Sequence, residues 1–301
     1  TTEEYLAAYN AGVANYNAQT GKSQALLELD DMSTTDWLSY AIQLGNFFNA
    51  DISVSGGNKK TRYSVGASYN NNKGIIQTNQ LDKFNFSGKI NHQFAKWIEI
   101  GANMSGNYMK NHQVPGVSMG SMILGRCVLQ RPFDKAYHED GTYTVGGTAE
   151  LTYHNPASIL NEANTYLEAY RYIGSHYINL KFWKDKISFK NSFNADVTQN
   201  HDYKNYTSSH PYVKNFNVVD YNTTIRNITL DSVLNYSDSY AGGSIDFNAM
   251  LGRSYQKVYK TNANLLGKTV PSDSFDVIDA TATLGSYGGN ILEYAMESFF
   301  G

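Results

Sequence analysis

The stretch FNFSGKINHQF, residues 84–94, alternates between apolar and polar side chains over its whole length. Phe84, Phe86 and Ile90 fall on one face of an extended chain, and the residues between them are polar. A period of two over this length predicts a β-strand with one apolar face and one wet face. The same alternation resumes after a tight turn at Ala95–Lys96, so the two segments are predicted to form an antiparallel hairpin.

Three more hairpins of this kind follow the same plan. Tight turns are predicted near residues 57, 95, 184 and 238, whereas longer or irregular connections are predicted near residues 75, 140, 210 and 275. Alternate connections of an up-and-down sheet lie at the same end. All the tight turns are therefore predicted at one end of the sheet, and all the long connections at the other. Membrane β-barrels show this asymmetry, and the Greek-key connections of a β-sandwich would scramble it.

The strands are predicted in nine segments. Strands of about 10 to 13 residues are longer than the usual five or six and suit a tilted crossing of a bilayer. The predicted segments are residues 47–57, 61–69, 84–94, 98–108, 172–183, 187–197, 223–236 and 242–255, with a last strand beginning near Leu292. The turn before the eighth segment is predicted at Ser237–Asp238–Ser239.

Three helical segments are predicted between or before the strands. Residues 1–20 have apolar positions near helical spacing, with Thr2 as the predicted cap. Thr34 or Thr35 is predicted to cap a short helical turn, and Ser118–Leu129 is predicted to be a short helix within an irregular region from about residue 110 to 170.

Composition agrees with a membrane barrel but does not require one. Only 41% of the residues are hydrophobic, and the chain contains 24 Tyr and 25 Gly but 5 Pro. Barrels have such modest hydropathy because half of every strand faces water. Composition alone equally allows a soluble β-sandwich or β-helix. Nine aromatic residues near predicted strand ends favour an interfacial girdle, namely Tyr69, Phe94, Trp97, Tyr108, Tyr172, Trp183, Tyr236, Tyr240 and Tyr255.

Charge and cysteine content exclude several functions. The net charge of −3 leaves no basic stripe for nucleic acid. The single cysteine, Cys127, excludes an internal disulfide framework and a multi-cysteine metal site, and its apolar neighbours predict a buried thiol.

Candidate catalytic groups do not form a recognisable site. The seven histidines include no HExxH motif, and His138–Glu139–Asp140 is predicted to be a solvated turn. Asp30, Asp31 and Asp36 are predicted to be loop or cap residues, and Gly285–Asn290 lacks the Lys-Ser/Thr of a phosphate loop. We therefore assign no catalytic, cofactor-binding or metal-binding residue and predict that the protein is not an enzyme.

Aromatic residues in the predicted loops have two possible roles. They could stack on sugar rings or pack the loops against one another, and the sequence favours packing for each. These residues are Tyr137, Tyr143, Tyr153, Tyr206 and Tyr212. No substrate-binding residue is assigned.

The segment SVSGGNKKTRYSVGASYNNNKGII, residues 53–76, resembles the barrel start of SusC/RagA-like TonB-dependent transporters. Those proteins carry the pattern N-x-S-V-S-G-G-x-x-K-T-x-Y-x-x-S-x-x-Y-x-x-x-x-G-I. The pattern is matched here by Ser53–Gly57, Lys60, Thr61, Tyr63, Tyr69, Gly74 and Ile75. Asp51 and Gly66 stand where the family more often has Asn and Ser, which leaves the hairpin prediction intact.

The resemblance implies a 22-stranded barrel with an N-terminal plug in the outer membrane of a Gram-negative bacterium. Such a barrel is energised by TonB through the plug and pairs with a SusD-like surface lipoprotein; no cofactor is implied. Residues 1–46 would be a helical and irregular external loop segment. Residues 47–301 would be a partial transmembrane β-barrel of about eight or nine strands, truncated at its C-terminal end.

The implied function is import of nutrient oligomers, oligosaccharides in preference to peptides, across lipid of the outer membrane. Two alternatives remain open from the residues themselves. One is a passive porin or an outer-membrane barrel enzyme, and the other is a soluble β-rich carbohydrate-binding module.

The partial-barrel interpretation predicts the behaviour of the isolated polypeptide. A sheet with two open edges has unpaired backbone groups that lipid cannot satisfy, so residues 1–301 alone are expected to aggregate in detergent. Size-exclusion chromatography and heat-modifiability on gels would measure this. A monodisperse, heat-modifiable species from these residues would contradict the interpretation.

Overall fold

The computed structural model describes residues 1–115, 119–147, 152–211, 218–269, 272–274 and 283–301. Most of the described chain is β-strand. The strands are β1 Asn46–Gly57, β2 Thr61–Lys73, β3 Gln80–Ala95, β4 Ile98–His112, β5 Gly146–Gly147, β6 Thr152–Tyr153, β7 Ala163–Phe182, β8 Ile187–Tyr206, β9 Val218–Tyr240, β10 Ile245–Lys268 and β11 Thr283–Phe300.

Nine of these strands form one sheet in chain order. The order is β1-β2-β3-β4-β7-β8-β9-β10-β11, and every neighbouring pair is antiparallel. The predicted up-and-down topology is therefore confirmed. The short strands β5 and β6 pair only with each other. Within the described residues, β1 and β11 are the edges of the large sheet and each pairs on one side.

The strands in the second half of the sheet are longer than predicted. β7 and β8 each have 20 residues, β9 has 23 and β10 has 24. The irregular connections predicted near residues 140, 210 and 275 are correspondingly shorter. Backbone pairing continues here although apolar and polar side chains no longer alternate, so the period-two signal fades while the hydrogen-bonded ladder does not.

One predicted turn is wrong by a few residues. Ser237–Asp238–Ser239 lies inside β9, and the chain reverses at the 3-10 turn Ala241–Gly243. Gly242 and Gly243 have φ angles of 70° and 94°, which residues with a Cβ rarely adopt. These two glycines therefore place the turn after Tyr240. The polar residues Ser237, Asp238 and Ser239 had suggested a turn a few residues earlier.

The tight turns are staggered from hairpin to hairpin. One hydrogen-bonded row crosses the sheet through His92, Ile178 and Ser232. Beyond this row, β3 ends at Ala95, β7 at Phe182 and β9 at Tyr240, so each successive turn lies farther from the row. A sheet that closes into a barrel needs such a shear between its strands.

Helix α1, Thr2–Thr20, begins one residue earlier than predicted. Thr1 is the cap, and it forms a capping box with Glu4. Thr2 is instead buried and its hydroxyl donates to the carbonyl of Ser33 at 2.7 Å. The helix ends at Gly21, which has a φ of 69°.

The other helices lie in the connections of the sheet. The short helical turn is a 3-10 helix, Trp37–Tyr40, and its cap is Asp36 rather than Thr34 or Thr35, because the Asp36 side chain accepts from the Leu38 N–H at 3.1 Å. Helix α2, Met119–Leu129, confirms the predicted helix. Helix α3, Pro156–Asn161, was not predicted, although Asn155 as cap and proline in the first turn are a helix-start signal. Among the described helices, none is sufficiently long and apolar to cross a membrane.

Replacing Gly242 and Gly243 by alanine tests the turn. Each alanine would be held at a positive φ, which costs about 1 kcal/mol per residue. We expect a measurable loss in urea unfolding of the full-length protein in bilayers. Gly88→Ala is the matched control, because a Cβ at Gly88 meets its nearest neighbours at ordinary distances of 3.6 Å or more. Equal stability of the turn variant and wild type would show that the turn relaxes without cost.

Candidate functional site

The apolar face of the sheet is not covered by a second layer of the described chain. Ile52 is 69% exposed, Val54 58% and Phe86 49%, although all three belong to the apolar side of their strands. Their cross-strand partners lie on the same face, since Ile52 pairs with Ala67, and Ala67 with Phe86. Apolar area on this scale requires an apolar medium or a partner.

A continuous row of aromatic rings crosses this face. Phe48, Tyr69, Phe84, Tyr108 and Tyr170 come from five successive strands of the sheet, with centroid separations of 6.2, 4.5, 6.2 and 4.9 Å. The Tyr69 hydroxyl donates to Asp82 at 2.7 Å and the Tyr108 hydroxyl donates to Glu168 at 2.8 Å. The rings therefore separate an apolar band from a charged zone, which is the arrangement of an interfacial girdle.

A second aromatic group lies at the tight-turn end. The Trp183 and Phe247 rings are 6.3 and 5.9 Å from the Tyr236 ring, and Trp97 is 52% exposed at the β3–β4 turn. The prediction that Phe94, Trp97, Trp183 and Tyr240 flank turns is confirmed by their positions, whereas Tyr236 lies inside β9, four residues before its end. Tyr69, Tyr108, Tyr172 and Tyr255 instead lie inside strands, because the strands continue past the girdle towards the long connections.

The apolar face becomes charged on the last two strands. Arg253 pairs with Glu297 and Lys257 pairs with Glu293, each at 2.6 Å, on the face that carries Tyr255. The predicted apolar face is therefore wrong for this part of β10 and β11. The stagger of the turns accounts for Lys257, since its row lies farther from the turn on β10 than on β3 and so reaches the level of Lys110.

The opposite face of the sheet is polar, and hydrogen bonds between side chains join its neighbouring strands. We call this face the polar wall. The Arg171 guanidinium donates two hydrogen bonds, of 3.0 and 2.7 Å, to the Asp196 carboxylate. The Asp231 carboxylate accepts from the Asn194 amide at 3.0 Å and from the Ser254 hydroxyl at 2.6 Å. Similar bonds join Asn107 to Asn85 and Asn85 to Ser68. A wall of this kind suits contact with water or a polar plug rather than hydrocarbon.

Among the residues that the structure describes, a packed hydrophobic cluster lies in the long connections. It joins the segment before β1 to the connection between β4 and β7, and consists of Trp37, Ala41, Ile123, Cys127, Ala136, Ile159 and Leu160. The Trp37 indole N–H donates to the Arg131 carbonyl at 2.9 Å, and the Thr35 N–H donates to the Pro132 carbonyl at 2.7 Å. The long connections are thus packed against one another at this end of the sheet, and we call the segments joined by this cluster the platform.

A cavity of about 430 Å³ opens in this platform. It is bounded by residues 141–145, by α3 with the residues flanking it, and by Ser209 and Pro211. Ser158 and Glu162 line this space together with Tyr143, while the Asn155 side chain beside them caps α3 and donates to the Ala136 carbonyl. Hydroxyl and carboxylate groups beside one ring suit a hydroxyl-rich or amide-rich ligand.

The predicted loop tyrosines have different positions. Tyr137 and Tyr143 pack against each other with centroids 5.1 Å apart, and Tyr206 is buried against His210. Tyr143 is the one of these three that lines the cavity. Tyr212 lies outside the described residues, as does the side chain of Tyr153. No sequence signal singled out Tyr143, because the cavity is made from segments distant in the chain.

The structure brings no metal-ligating cluster together among the residues it describes. His138, Glu139 and Asp140 are exposed at the turn around Gly141, in agreement with the predicted solvated turn. Cys127 is buried as predicted, and burial raises the pKa of its thiol to about 11. Such a thiol is not a nucleophile at neutral pH.

The pKa of His210 lies far below its usual value. Burial lowers its pKa to about 4, with a smaller contribution from nearby His154. The neutral form is favoured in the folded state, so its contribution to stability is present above pH 6.5 and is lost as the pH falls towards 4.

The sequence is similar to that of TonB-dependent receptors. TonB-dependent receptor P3 of Formosa agariphila is 23% identical over 291 residues, which are 89% of this chain and 29% of the relative. TonB-dependent receptor P26 of the same organism is 24% identical over 233 residues, which are 74% of this chain and 22% of the relative. No protein-family model matches the chain.

The fold is similar to that of solved importers. A structure of the RagAB peptide importer in the closed-closed state matches 97% of this chain and 33% of its own, with a TM-score of 0.69 and 17% identity. A structure of the RagAB peptide transporter matches 98% of this chain and 34% of its own, with a TM-score of 0.71 and 17% identity.

These similarities confirm two of the predictions. The resemblance to SusC/RagA-like TonB-dependent transporters is supported by the named receptors, and the fold is that of part of an antiparallel up-and-down β-barrel. The relatives and structural neighbours are named as receptors, importers and transporters rather than as enzymes. The chain spans about a third or less of the length of each of them.

Replacing Trp37 by alanine tests the loop platform. The substitution removes a side chain that is 4% exposed and its bond to Arg131, which is expected to cost about 3 to 5 kcal/mol in the platform. We expect a protease added to the full-length protein in bilayers to cut the long connections faster, while the sheet stays intact. Trp97→Ala is the matched control, because Trp97 is 52% exposed. Unchanged cleavage in Trp37→Ala would contradict a platform held by this core.

Proposed function

We propose that this chain forms part of the wall and loops of a TonB-dependent outer-membrane importer of nutrient oligomers. The observation that carries the proposal is the uncovered apolar face, bounded by aromatic rows, with a hydrogen-bonded polar face behind it. Such a sheet suits one medium of hydrocarbon and one of water. The named receptors and importers among its relatives support transport as the activity.

The tight turns would face the periplasm and the long connections the exterior. The Trp37 platform would then stand at the cell surface, where a SusD-like lipoprotein would dock as a lid. TonB would act on a plug that this sheet encloses, and the polar wall around Arg171 and Asp231 would contact that plug or the passing substrate. No covalent bond is made or broken in this mechanism.

The cavity beside Tyr143 is the proposed first contact for cargo. Its ring could stack on a sugar, and the Glu162 carboxylate, which also accepts from the Thr207 hydroxyl, offers an acceptor to hydroxyls or peptide amides. We propose an oligosaccharide or a peptide as cargo. The solved neighbours are described as peptide importers, which favours testing peptides beside oligosaccharides.

The proposed orientation can be tested by labelling from outside. In a cysteine-free background of the full-length protein, Glu139→Cys lies at the exposed loop and Lys59→Cys at an exposed tight turn. We expect a membrane-impermeant maleimide to label the first in intact cells and the second only after the outer membrane is opened. Labelling of both, or the reverse order, would contradict the orientation.

Energised transport is tested in the same cells. Uptake of a fluorescent oligosaccharide and a fluorescent peptide of similar size is measured with and without a protonophore. A TonB-dependent importer loses accumulation when the proton-motive force is dissipated, whereas a passive porin keeps its rate. Neighbouring genes for a lid lipoprotein with glycoside hydrolases or with peptidases would assign the class of cargo.

A further inference from the structure

Three basic side chains surround one small cavity at the tight-turn end of the sheet. The cavity has a volume of about 220 Å³. Arg62 pairs across the strands with Asn91 on the side of the polar wall, so the cavity opens towards that side. It is lined by Lys59, Lys60 and Arg62 of the β1–β2 hairpin and by Asn91, His92, Gln93 and Glu99 of β3 and β4. Side chains of this kind suit an anion.

The motif that carries the family resemblance builds this hairpin but leaves its lysines unexplained. The Asn58 side-chain oxygen accepts from the N–H groups of Lys60 at 2.8 Å and Thr61 at 2.9 Å. A Cβ at Gly57 would lie 2.4 Å from the Thr61 carbonyl oxygen, so a side chain there would force the turn apart. Packing of the turn therefore accounts for Gly57, Asn58 and Thr61. Lys59 and Lys60 are exposed and take no part in it.

The cavity has an excess of positive charge. Among the described residues that line it, Glu99 carries the one carboxylate, and this carboxylate accepts from the Tyr177 hydroxyl at 2.7 Å. A Cβ at Gly101 would lie 2.2 Å from the Tyr177 ring, so the ring covers that glycine and is held beside Glu99. Within the described part of the chain, none of the three basic side chains forms an ion pair.

Two cations elsewhere on the polar wall have partners from the wall itself. Arg171 pairs with Asp196 at 2.7 Å, and Lys204 pairs with Asp202 at 3.2 Å. The wall supplies no such partner to the basic cavity within the described residues. Covering unpaired cations with protein is costly unless the covering surface brings anions. A plug packed against this end of the wall would therefore need carboxylates opposite the cavity.

We propose that the cavity binds carboxylates of an acidic segment of the plug, which belongs to the same polypeptide. The inference rests on the proposed function, in which this sheet encloses a plug. The Arg62 guanidinium would take a carboxylate through two parallel hydrogen bonds, and Lys59 and Lys60 would flank it as point charges. The chain spans about a third or less of its relatives, so a longer stretch of the polypeptide is available to cover the wall.

Zero-length cross-linking of the full-length protein in outer-membrane vesicles tests the contact. A water-soluble carbodiimide joins a lysine amine directly to a carboxylate that touches it, and mass spectrometry of the digest identifies both residues. Lys186 and Asp238 are 2.7 Å apart and form the internal positive control. Lys96 is the matched control lysine, because it is exposed at the neighbouring tight turn and does not line the cavity.

We expect Lys59 or Lys60 to be joined to an Asp or Glu of the plug, and Lys96 to form no such product. Arg62→Glu places a competing carboxylate in the cavity and is expected to reduce the product at least about five-fold, with the Lys186–Asp238 product unchanged.

Three results would overturn the plug as the occupant of the cavity. They are joining of the two lysines to Glu99 alone, joining to a different polypeptide, and no joining while Lys186 and Asp238 are joined. Equal yield in Arg62→Glu and wild type would likewise overturn the cavity as the anion site. Labelling of Lys59→Cys from outside intact cells would instead overturn the proposed membrane placement, so the two failures are distinguishable.

Discussion

The backbone hydrogen-bond ladder is the constraint on which the rest of the structure depends. Nine strands pair in chain order, so each inner strand satisfies its polar backbone on both sides without help from side chains. Side chains are then free to serve two different surroundings, because the ladder tolerates apolar residues on one face and polar residues on the other. Hydrocarbon admits only such fully paired backbones, which is why a sheet of this kind can carry an uncovered apolar surface.

The loops depend on the sheet in a different way. The sheet ends bring the segment before β1 and the connection between β4 and β7 to the same edge, where Trp37 reaches the Arg131 carbonyl. These segments are far apart in the chain and neither could bury its apolar side chains alone. The resulting core is small, but it turns the loops into a platform with a defined cavity beside Tyr143.

Strand identity could be predicted because it rests on local alternation, as residues 84–94 show. Strand length could not, because β8 and β9 continue into stretches where apolar and polar residues no longer alternate and only pairing with a neighbour defines the strand. The turn after Tyr240 was misplaced for a similar reason. Gly242 and Gly243 supply the required positive φ, while Ser237–Ser239 have the composition of a turn but are held in β9 by the register with β10.

The sequence by itself determined the fold class, the order of the hairpins and the family resemblance, because these depend on periodicity, turn chemistry and the motif at residues 53–76. Only the tertiary structure decided which residues share a row. It alone placed Gly106 between Phe86 and Tyr172, aligned Asp82 with Lys110 and Glu168, and moved Arg253 and Glu297 onto the aromatic face. Register and stagger are properties of paired strands, and no single strand carries them.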